Sequence, residues 1–472
     1  MNFIYIDLAL LAIFCILSAI FLYKKRHNLK REGLFFLYKT KFGLKFMDNF
    51  SKKFSKQLRV ISYISITFGY LAMLAMVALL IDNIIILIKM PIITNAPPIM
   101  PIIPYAPQIF KVSALPNFYF IHWIIILAIM AITHEFAHGI FSRHINVKVK
   151  SSGFGFLGLL PLAFVEPDEK ALAKKKKKDQ LAMLSAGSFS NFVFFILFAI
   201  IFIIFLALSF HATTPLYGST TINASQIEAI QINQNNYSLN ELNSDILSNK
   251  LIPDKSIVYT SSNSYILTKS LINQQTTALL NPANSSIIVY YNAPLINANI
   301  QGEILEINGF KYSDPKAFSF LNSTVPSQQI EIKTDKSTYN IVAIPNPNNI
   351  SKGFIGINYR SPSTTLAERL QTWVLGMKNP FMAYAPFNQD AFSFISVFMF
   401  WLIILLFAIA TFNMLPFGFL DGGKFFFLTM LGLTKSKKHA EFWYKIASVL
   451  VLLIILAMVV VWVWRKYLIG LF

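Results

Sequence analysis

The strongest pattern along the chain is a series of six long apolar stretches with almost no charges. They run over about 3–23, 60–88, 118–141, 181–210, 392–415 and 446–464. A helix of about 20 apolar residues crosses the hydrocarbon layer of a bilayer, so each stretch predicts one transmembrane helix. Hydrophobic residues make up 55% of the 472 residues and charged residues 13%, more apolar surface than a water-soluble fold can bury. The sequence therefore predicts a polytopic α-helical membrane protein.

Basic residues between these stretches predict the orientation of the helices. Segment 24–59 holds twelve Lys or Arg against two acidic residues, and 174–178 and 435–445 are further basic loops. Such loops stay in the cytoplasm, which places the proline-rich connector 91–116 and segment 211–360 outside the cell membrane. The net charge of +19 then reflects topology and contact with anionic lipid headgroups, and we expect no nucleic-acid partner.

One segment, 211–360, lacks the membrane pattern. It is rich in Asn, Ser and Gln, and nine basic residues balance nine acidic ones. Alternating apolar and polar residues over 286–290, 329–332 and 339–344 predict strands. We therefore expect a β-rich extracytoplasmic domain inserted between the fourth and fifth helices.

Two further segments contain apolar residues but are not predicted to span the bilayer. Segment 151–165 is glycine-rich, which predicts a re-entrant or surface-lying hairpin whose backbone is satisfied by protein or water. Segment 361–390 mixes apolar and polar residues and is expected at the membrane interface.

The third apolar stretch carries a candidate metal-binding motif, His134-Glu135-Phe136-Ala137-His138. Four residues advance an α-helix by about one turn, so both imidazoles project from one face and can bind one zinc ion. Glu135 lies beside them, where a carboxylate can act as general base on zinc-activated water. The alternative is a structural histidine pair, but ionisable residues inside a membrane helix are costly and usually functional.

Zinc needs a third protein ligand, for which the sequence offers two candidates. His144 lies ten residues after His134, but a helix that continues through Phe141 directs its side chain toward the cytoplasm. Asp421 lies at the cytoplasmic end of the fifth stretch, at about the same depth as the histidines, and Pro416 breaks its helix. These positions favour Asp421 as the third ligand.

Two motifs together resemble the site-2 protease family of intramembrane zinc metalloproteases. They are the HEFAH sequence of 134–138 and the Asn-x-x-Pro-x-x-x-x-Asp-Gly pattern that runs from Asn413 through Asp421. The resemblance implies that Asp421 completes a site for one zinc ion per chain. It also implies that Asn413 is catalytic with Glu135, by positioning the substrate or stabilising the oxyanion.

Further segments extend this resemblance. Residues 185–191, Ser-Ala-Gly-Ser-Phe-Ser-Asn, are similar to the small-residue patch of the family's middle core helix, and 153–166 resembles its membrane-embedded hairpin. Residues 302–309, Gly-Glu-Ile-Leu-Glu-Ile-Asn-Gly, look like the strand pair and turn of a PDZ domain, which implies a PDZ-like domain over about 293–357. A plain external β-domain remains the alternative.

These interpretations divide the chain into five parts. They are 1–117 with two helices, a basic loop and the connector; 118–210 with the first part of the catalytic core; 211–360, extracytoplasmic; 361–425 with the interfacial segment and the aspartate-bearing helix; and 426–472 with a cytoplasmic loop and the last helix.

The expected function is that of an intramembrane zinc metalloendopeptidase in the plasma membrane. Its partners would be the lipid bilayer and membrane-anchored proteins, cleaved within or near their transmembrane segments from the cytoplasmic side. One alternative is a prenyl-protein-type membrane metalloprotease, which would need a glutamate ligand on a later helix. Another is a catalytically silent membrane adaptor or chaperone with a PDZ-like domain.

Overall fold

The chain forms two compact units in a computed structural model. The structure describes residues 3–89, 96–243, 246–247, 253–283, 285–360, 373–374, 377–418 and 420–468. One unit consists of Met1–Phe202 with Ser393–Phe472, and the other of Ile203–Phe392. The predicted interfacial segment 361–390 lies partly outside the described residues.

Six helices of the described chain are long and apolar enough to cross a membrane, as the sequence predicted: α1, α3, α5, α7, α11 and α13. The helices are α1 (Phe3–Lys25), α2 (Leu44–Lys53), α3 (Ser55–Lys89), α4 (Ala106–Ile109), α5 (Phe120–His144), α6 (Glu169–Ala173), α7 (Lys177–Ser209), α8 (Lys269–Leu280), α9 (Pro294–Asn297), α10 (Pro315–Ser323), α11 (Gln389–Phe412), α12 (Asp421–Thr434) and α13 (Lys437–Val463). The fold class is therefore that of a polytopic helical membrane protein with a β-rich region.

The strands of the described chain form five sheets, with strand orders β1-β2-β3-β4, β6-β11-β10-β9-β7-β8, β13-β12-β14-β15, β16-β17 and β18-β5. The strands are β1 (Leu29–Glu32), β2 (Phe35–Thr40), β3 (Val149–Leu157), β4 (Leu160–Pro167), β5 (Phe210–Pro215), β6 (Ser219–Asn223), β7 (Ile227–Ile232), β8 (Asn235–Tyr237), β9 (Lys255–Thr260), β10 (Ser264–Thr268), β11 (Ser286–Tyr291), β12 (Ile304–Ile307), β13 (Phe310–Lys311), β14 (Gln329–Thr334), β15 (Thr338–Val342), β16 (Ile344–Asn346), β17 (Asn349–Phe354) and β18 (Met382–Pro386).

The hairpin expected over 151–165 is present as β3 and β4, and β4 lies along α5. Leu160, at the tip of the hairpin, packs against the core cluster that contains Ile126 and Met130 of α5. The segment 24–59, which its charge identified only as a basic loop, supplies β1 and β2, and β2 pairs with β3. In the resulting four-stranded sheet, β3 is an inner strand and β4 an edge strand.

An ion pair links the second and fourth strands of this sheet. The ammonium group of Lys39 on β2 donates to Glu166 on β4 over 2.8 Å, and the hydroxyl of Ser151 also donates to Glu166. These two hydrogen bonds lower the pKa of Glu166 and keep its carboxylate charged. Because Glu166 follows Val165 directly, the pair fixes β4 where that strand approaches α5.

A buried carboxylate holds the N-terminus of α5. Asp7 of α1 is fully buried and accepts from the backbone N–H groups of Phe120 and Ile121, over 2.7 and 3.0 Å, and from the hydroxyl of Tyr105. The first N–H groups of a helix have no intrahelical partner and carry partial positive charge. The carboxylate of α1 therefore caps the helix that carries the HEFAH motif.

The β-rich unit contains two hydrophobic cores. One core lies within 222–289 and holds the six-stranded sheet and α8, while the other is built from 295–355 with Phe381 and Met382. The predicted strands over 286–290, 329–332 and 339–344 are present as β11, β14 and β15. The predicted Asn308-Gly309 turn joins β12 to β13 with both residues at positive φ, as such a hairpin turn requires.

The entry and exit of the β-rich unit lie side by side. Strand β5 directly follows α7, β18 precedes α11, and the two strands pair antiparallel. The backbone N–H of Phe387 also donates to the carbonyl of Ser209 over 3.1 Å. Part of the segment expected at the membrane interface, Met382–Pro386, is thus one strand of the two-stranded sheet that β5 and β18 form.

We expect Asp7→Ala to lower the free energy of unfolding by about 3 kcal/mol, because one buried and two partly buried donors lose their acceptor. Asp7→Asn keeps one accepting oxygen and should lose less. Thermal unfolding of the detergent-purified protein measures both changes. Asp82→Ala, at an exposed aspartate of α3, is the matched control, and an Asp7→Ala protein as stable as that control would contradict the capping role.

Candidate metal centre

Three side chains from two helices converge on one point. The Nε2 atoms of His134 and His138 lie 3.0 Å apart, and an Oδ2 atom of Asp421 lies 3.1 Å from the first and 3.2 Å from the second. Ligand atoms of a tetrahedral zinc ion, at bond lengths of about 2.0–2.1 Å, are separated by about 3.3 Å. The triangle therefore has the dimensions of one face of a zinc coordination shell, and its donors are those that zinc prefers.

The histidine rings are brought together by the helical repeat of α5. His134 and His138 are one turn apart, and each is only 8% exposed. The Nδ1 atom of His138 lies 2.8 Å from the carbonyl oxygen of Met183. A carbonyl accepts and cannot donate, so Nδ1 carries the proton, and the lone pair of Nε2 points into the centre.

Helix α7 approaches these rings at a glycine. A Cβ atom on Gly187 would lie 2.5 Å from Nε2 of His138 and 2.6 Å from Nε2 of His134. No side chain fits at that position. Within the small-residue patch of 185–191, Gly187 is thus required by close packing against the candidate ligands.

The third candidate ligand is positioned by a break between two helices. Helix α11 ends at Phe412, and Asp421 is the first residue of the separate helix α12. The sequence indicated a break at Pro416 within one helix, whereas the structure has two separate helices joined by a connecting segment. Gly422 closes this segment, because its N–H donates to the carbonyl of Asn413 over 2.8 Å and a Cβ there would lie 2.2 Å from the carbonyl carbon of Met414.

Glu135 faces the same cavity as the three candidate ligands. Its Oε2 atom accepts from the backbone N–H of Val165 on β4 over 2.9 Å, so the edge of the four-stranded sheet holds the carboxylate. The cavity has a volume of about 400 Å³. Lys424 and Glu169 also line it, and their charged groups lie 3.8 Å apart.

Other residues that the sequence highlighted lie elsewhere or play a different part. Asn413 is not among the described residues that line this cavity. Its backbone N–H donates to the carbonyl of Ile409, and its own carbonyl accepts from Gly422. His144 lines a separate cavity with Arg143. His122 is buried in the other half of α5, beside the ring of Phe394.

Three groups near the centre were not identified from the sequence as functional. Two are backbone groups, the carbonyl of Met183 and the N–H of Val165, which leave no trace in the residue types. The third is the side chain of Asn191, which is fully buried with an amide nitrogen 3.4 Å from Nδ1 of His134. The only feature of the sequence that pointed to Asn191 was its place at the end of the small-residue patch of 185–191.

Comparison with known proteins agrees with this geometry. The sequence profile described as Peptidase family M50 matches residues 122–457, more than two thirds of the chain. The chain is also 34% identical over 189 residues to the uncharacterized protein MJ0971 of Methanocaldococcus jannaschii, a match that covers 38% of this chain and 47% of that protein. The chain thus spans about half the length of that relative.

The profile match includes both helices that supply the candidate ligands and the helix that packs against them. The resemblance inferred from the two short motifs is thereby confirmed over most of the protein. The chain belongs to peptidase family M50, the site-2 protease family of membrane metalloproteases.

Proposed function

We propose that this protein is an intramembrane zinc metalloendopeptidase that cleaves membrane-anchored proteins within or near their transmembrane segments. The observation that carries the proposal is the triangle of His134, His138 and Asp421 with the carboxylate of Glu135 in the same cavity. We propose these three residues as the ligands of one zinc ion, and Glu135 as the general base. The plasma membrane, with the site toward the cytoplasm, is the proposed location.

Zinc in this site would act as a Lewis acid. It would polarise the scissile carbonyl and would lower the pKa of water to near neutral. The carboxylate of Glu135 takes a proton from the attacking water and passes it to the nitrogen of the departing amine. The N–H of Val165 holds Oε2, which leaves Oε1 as the oxygen that exchanges the proton. Asn413 remains a proposed aid to substrate positioning.

The edge of β4 supports a proposed mode of substrate binding. Strand β4 is the last strand of its sheet, and the N–H of Val165 points away from β3 toward Glu135. A substrate helix must unwind before a carbonyl can reach the site. An unwound segment can add to β4 as a further strand and satisfy its own backbone groups there.

We also propose that 211–360 is extracytoplasmic, with a PDZ-like domain over 293–357 that admits only substrates already shortened outside the membrane. The support is the separate core of 295–355 and the hairpin of β12 and β13. Family analogy, not geometry, supplies the filter role.

Glu135→Gln should abolish turnover and retain zinc. We expect cleavage of a panel of tagged single-span substrates in liposomes to fall by at least about 100-fold, because the proton acceptor is lost. Zinc content should stay at about one per chain, whereas His134→Ala should lose it. Wild-type protein that holds zinc and cuts none of the panel would contradict the protease proposal, and wild-type protein without zinc would contradict the site.

Gly187→Ala should abolish zinc binding, because the added methyl group would occupy the position between the histidine rings. Zinc content after purification and cleavage of the same substrates measure the effect. Gly432→Ala is the matched control, since a Cβ at this glycine of α12 would meet nothing within 4 Å. Full zinc content in the Gly187→Ala protein would show that α7 lies farther from the ligands.

Deletion of 211–360 tests the proposal that this segment restricts which substrates are admitted. The expected result is cleavage of full-length substrates that the intact protein rejects. An unchanged substrate range in a truncated protein that still binds zinc would contradict the filter role.

A further inference from the structure

The amide of Asn191 forms a link between two neighbouring residues of α5. Its Oδ1 lies 2.8 Å from the hydroxyl oxygen of Thr133, and its Nδ2 lies 3.4 Å from Nδ1 of His134. The Asn191 side chain is fully buried, so water does not satisfy it. The residue has no other role in the proposed mechanism.

Counting protons shows that either end of the Asn191 amide can face His134. The hydroxyl of Thr133 has one proton, which it can donate to Oδ1 of Asn191, 2.8 Å away, or to the carbonyl oxygen of Ile129, 2.9 Å away. It cannot donate to both. With its proton on the carbonyl of Ile129, the hydroxyl oxygen of Thr133 becomes an acceptor for the amide nitrogen of Asn191.

The state of His134 decides between the two orientations of the amide. A histidine that binds a metal through Nε2 carries its proton on Nδ1, which then requires an acceptor. An amide nitrogen at that position would place two donors against each other. The nitrogen and oxygen of an amide are nearly equal in shape, so the hydrogen-bonding network decides their placement.

We propose that Asn191 is a positioning residue that holds His134 in its metal-binding tautomer. Its amide oxygen accepts from Nδ1–H of His134, and its amide nitrogen donates to the hydroxyl of Thr133. This inference rests on the proposed zinc site. It assigns a function to a residue outside the coordination shell.

The arrangement is the counterpart of the contact made by His138. That ring donates from Nδ1 to the carbonyl of Met183, also on α7. Met183, Gly187 and Asn191 are spaced by four residues, so they lie along one face of α7 over two turns. One helix thus holds both rings by their Nδ1 atoms, with a glycine between the two contacts.

The test compares two nearly isosteric variants. Asn191→Asp keeps an oxygen that accepts from His134, whereas Asn191→Leu keeps the volume and removes the acceptor. We expect Asn191→Leu to weaken zinc affinity by about 10- to 100-fold, and Asn191→Asp to retain wild-type affinity or exceed it. Competition against a chromophoric chelator measures the affinity, and Ser188→Ala, which changes another buried residue of α7, is the matched control.

Nitrogen-15 spectra of histidine-labelled, zinc-free protein provide a second readout, with His134 assigned by its loss in His134→Ala. The wild-type and Asn191→Asp proteins should show His134 protonated on Nδ1, and Thr133→Val and Asn191→Leu should show a mixture of tautomers. Because Thr133→Val leaves Asn191 in place, it tests the network even if Asn191→Leu fails to fold.

The outcomes separate this inference from the function on which it rests. Equal zinc affinity in wild type and Asn191→Leu overturns the positioning role and leaves the zinc site intact. Equal losses in Asn191→Asp and Asn191→Leu likewise overturn it, because the accepting oxygen would then be irrelevant. Absence of zinc from the wild-type protein overturns the proposed site together with this inference.

Discussion

The approach of α7 to α5 at Gly187 is the contact on which the rest of the centre depends. It brings a helix backbone within van der Waals reach of two imidazole rings, so the rings can be held by groups on that helix. A bulkier residue would separate the helices and move the carbonyl of Met183 and the amide of Asn191 away from the rings at the same time. The ring orientation and the space between the rings therefore have one common origin.

The same constraint explains why the third ligand comes from a separate helix. Two rings on adjacent turns of α5 occupy one side of the site and α7 covers another, so a carboxylate must enter from elsewhere. The break between α11, which ends at Phe412, and α12, which begins at Asp421, supplies this approach. The negative charge of Asp421 lies against two imidazoles in a low-dielectric interior, where charges are strongly disfavoured unless compensated. The proposed zinc ion would supply that compensation.

The spans, the hairpin and the candidate ligands could be predicted from the sequence because each follows from a short, local rule. Runs of apolar residues identified the six helices, and the spacing of His134 and His138 determined that they share a helix face. The four-stranded sheet could not be predicted, since pairing of β2 with β3 joins segments more than 100 residues apart. The supports of Glu135 and His138 are backbone groups, which any residue provides, so no pattern of side chains marks them.

The two-stranded sheet of β5 and β18 has a consequence for how such proteins diversify. Because β5 and β18 pair side by side, the chain leaves α7 and returns to α11 at nearly the same place. The distance between the two attachment points is therefore independent of what lies between them. We therefore expect evolution to tolerate insertion, loss or replacement of sequence between β5 and β18, since the separation of Ser209 and Phe387 is set by the pairing itself.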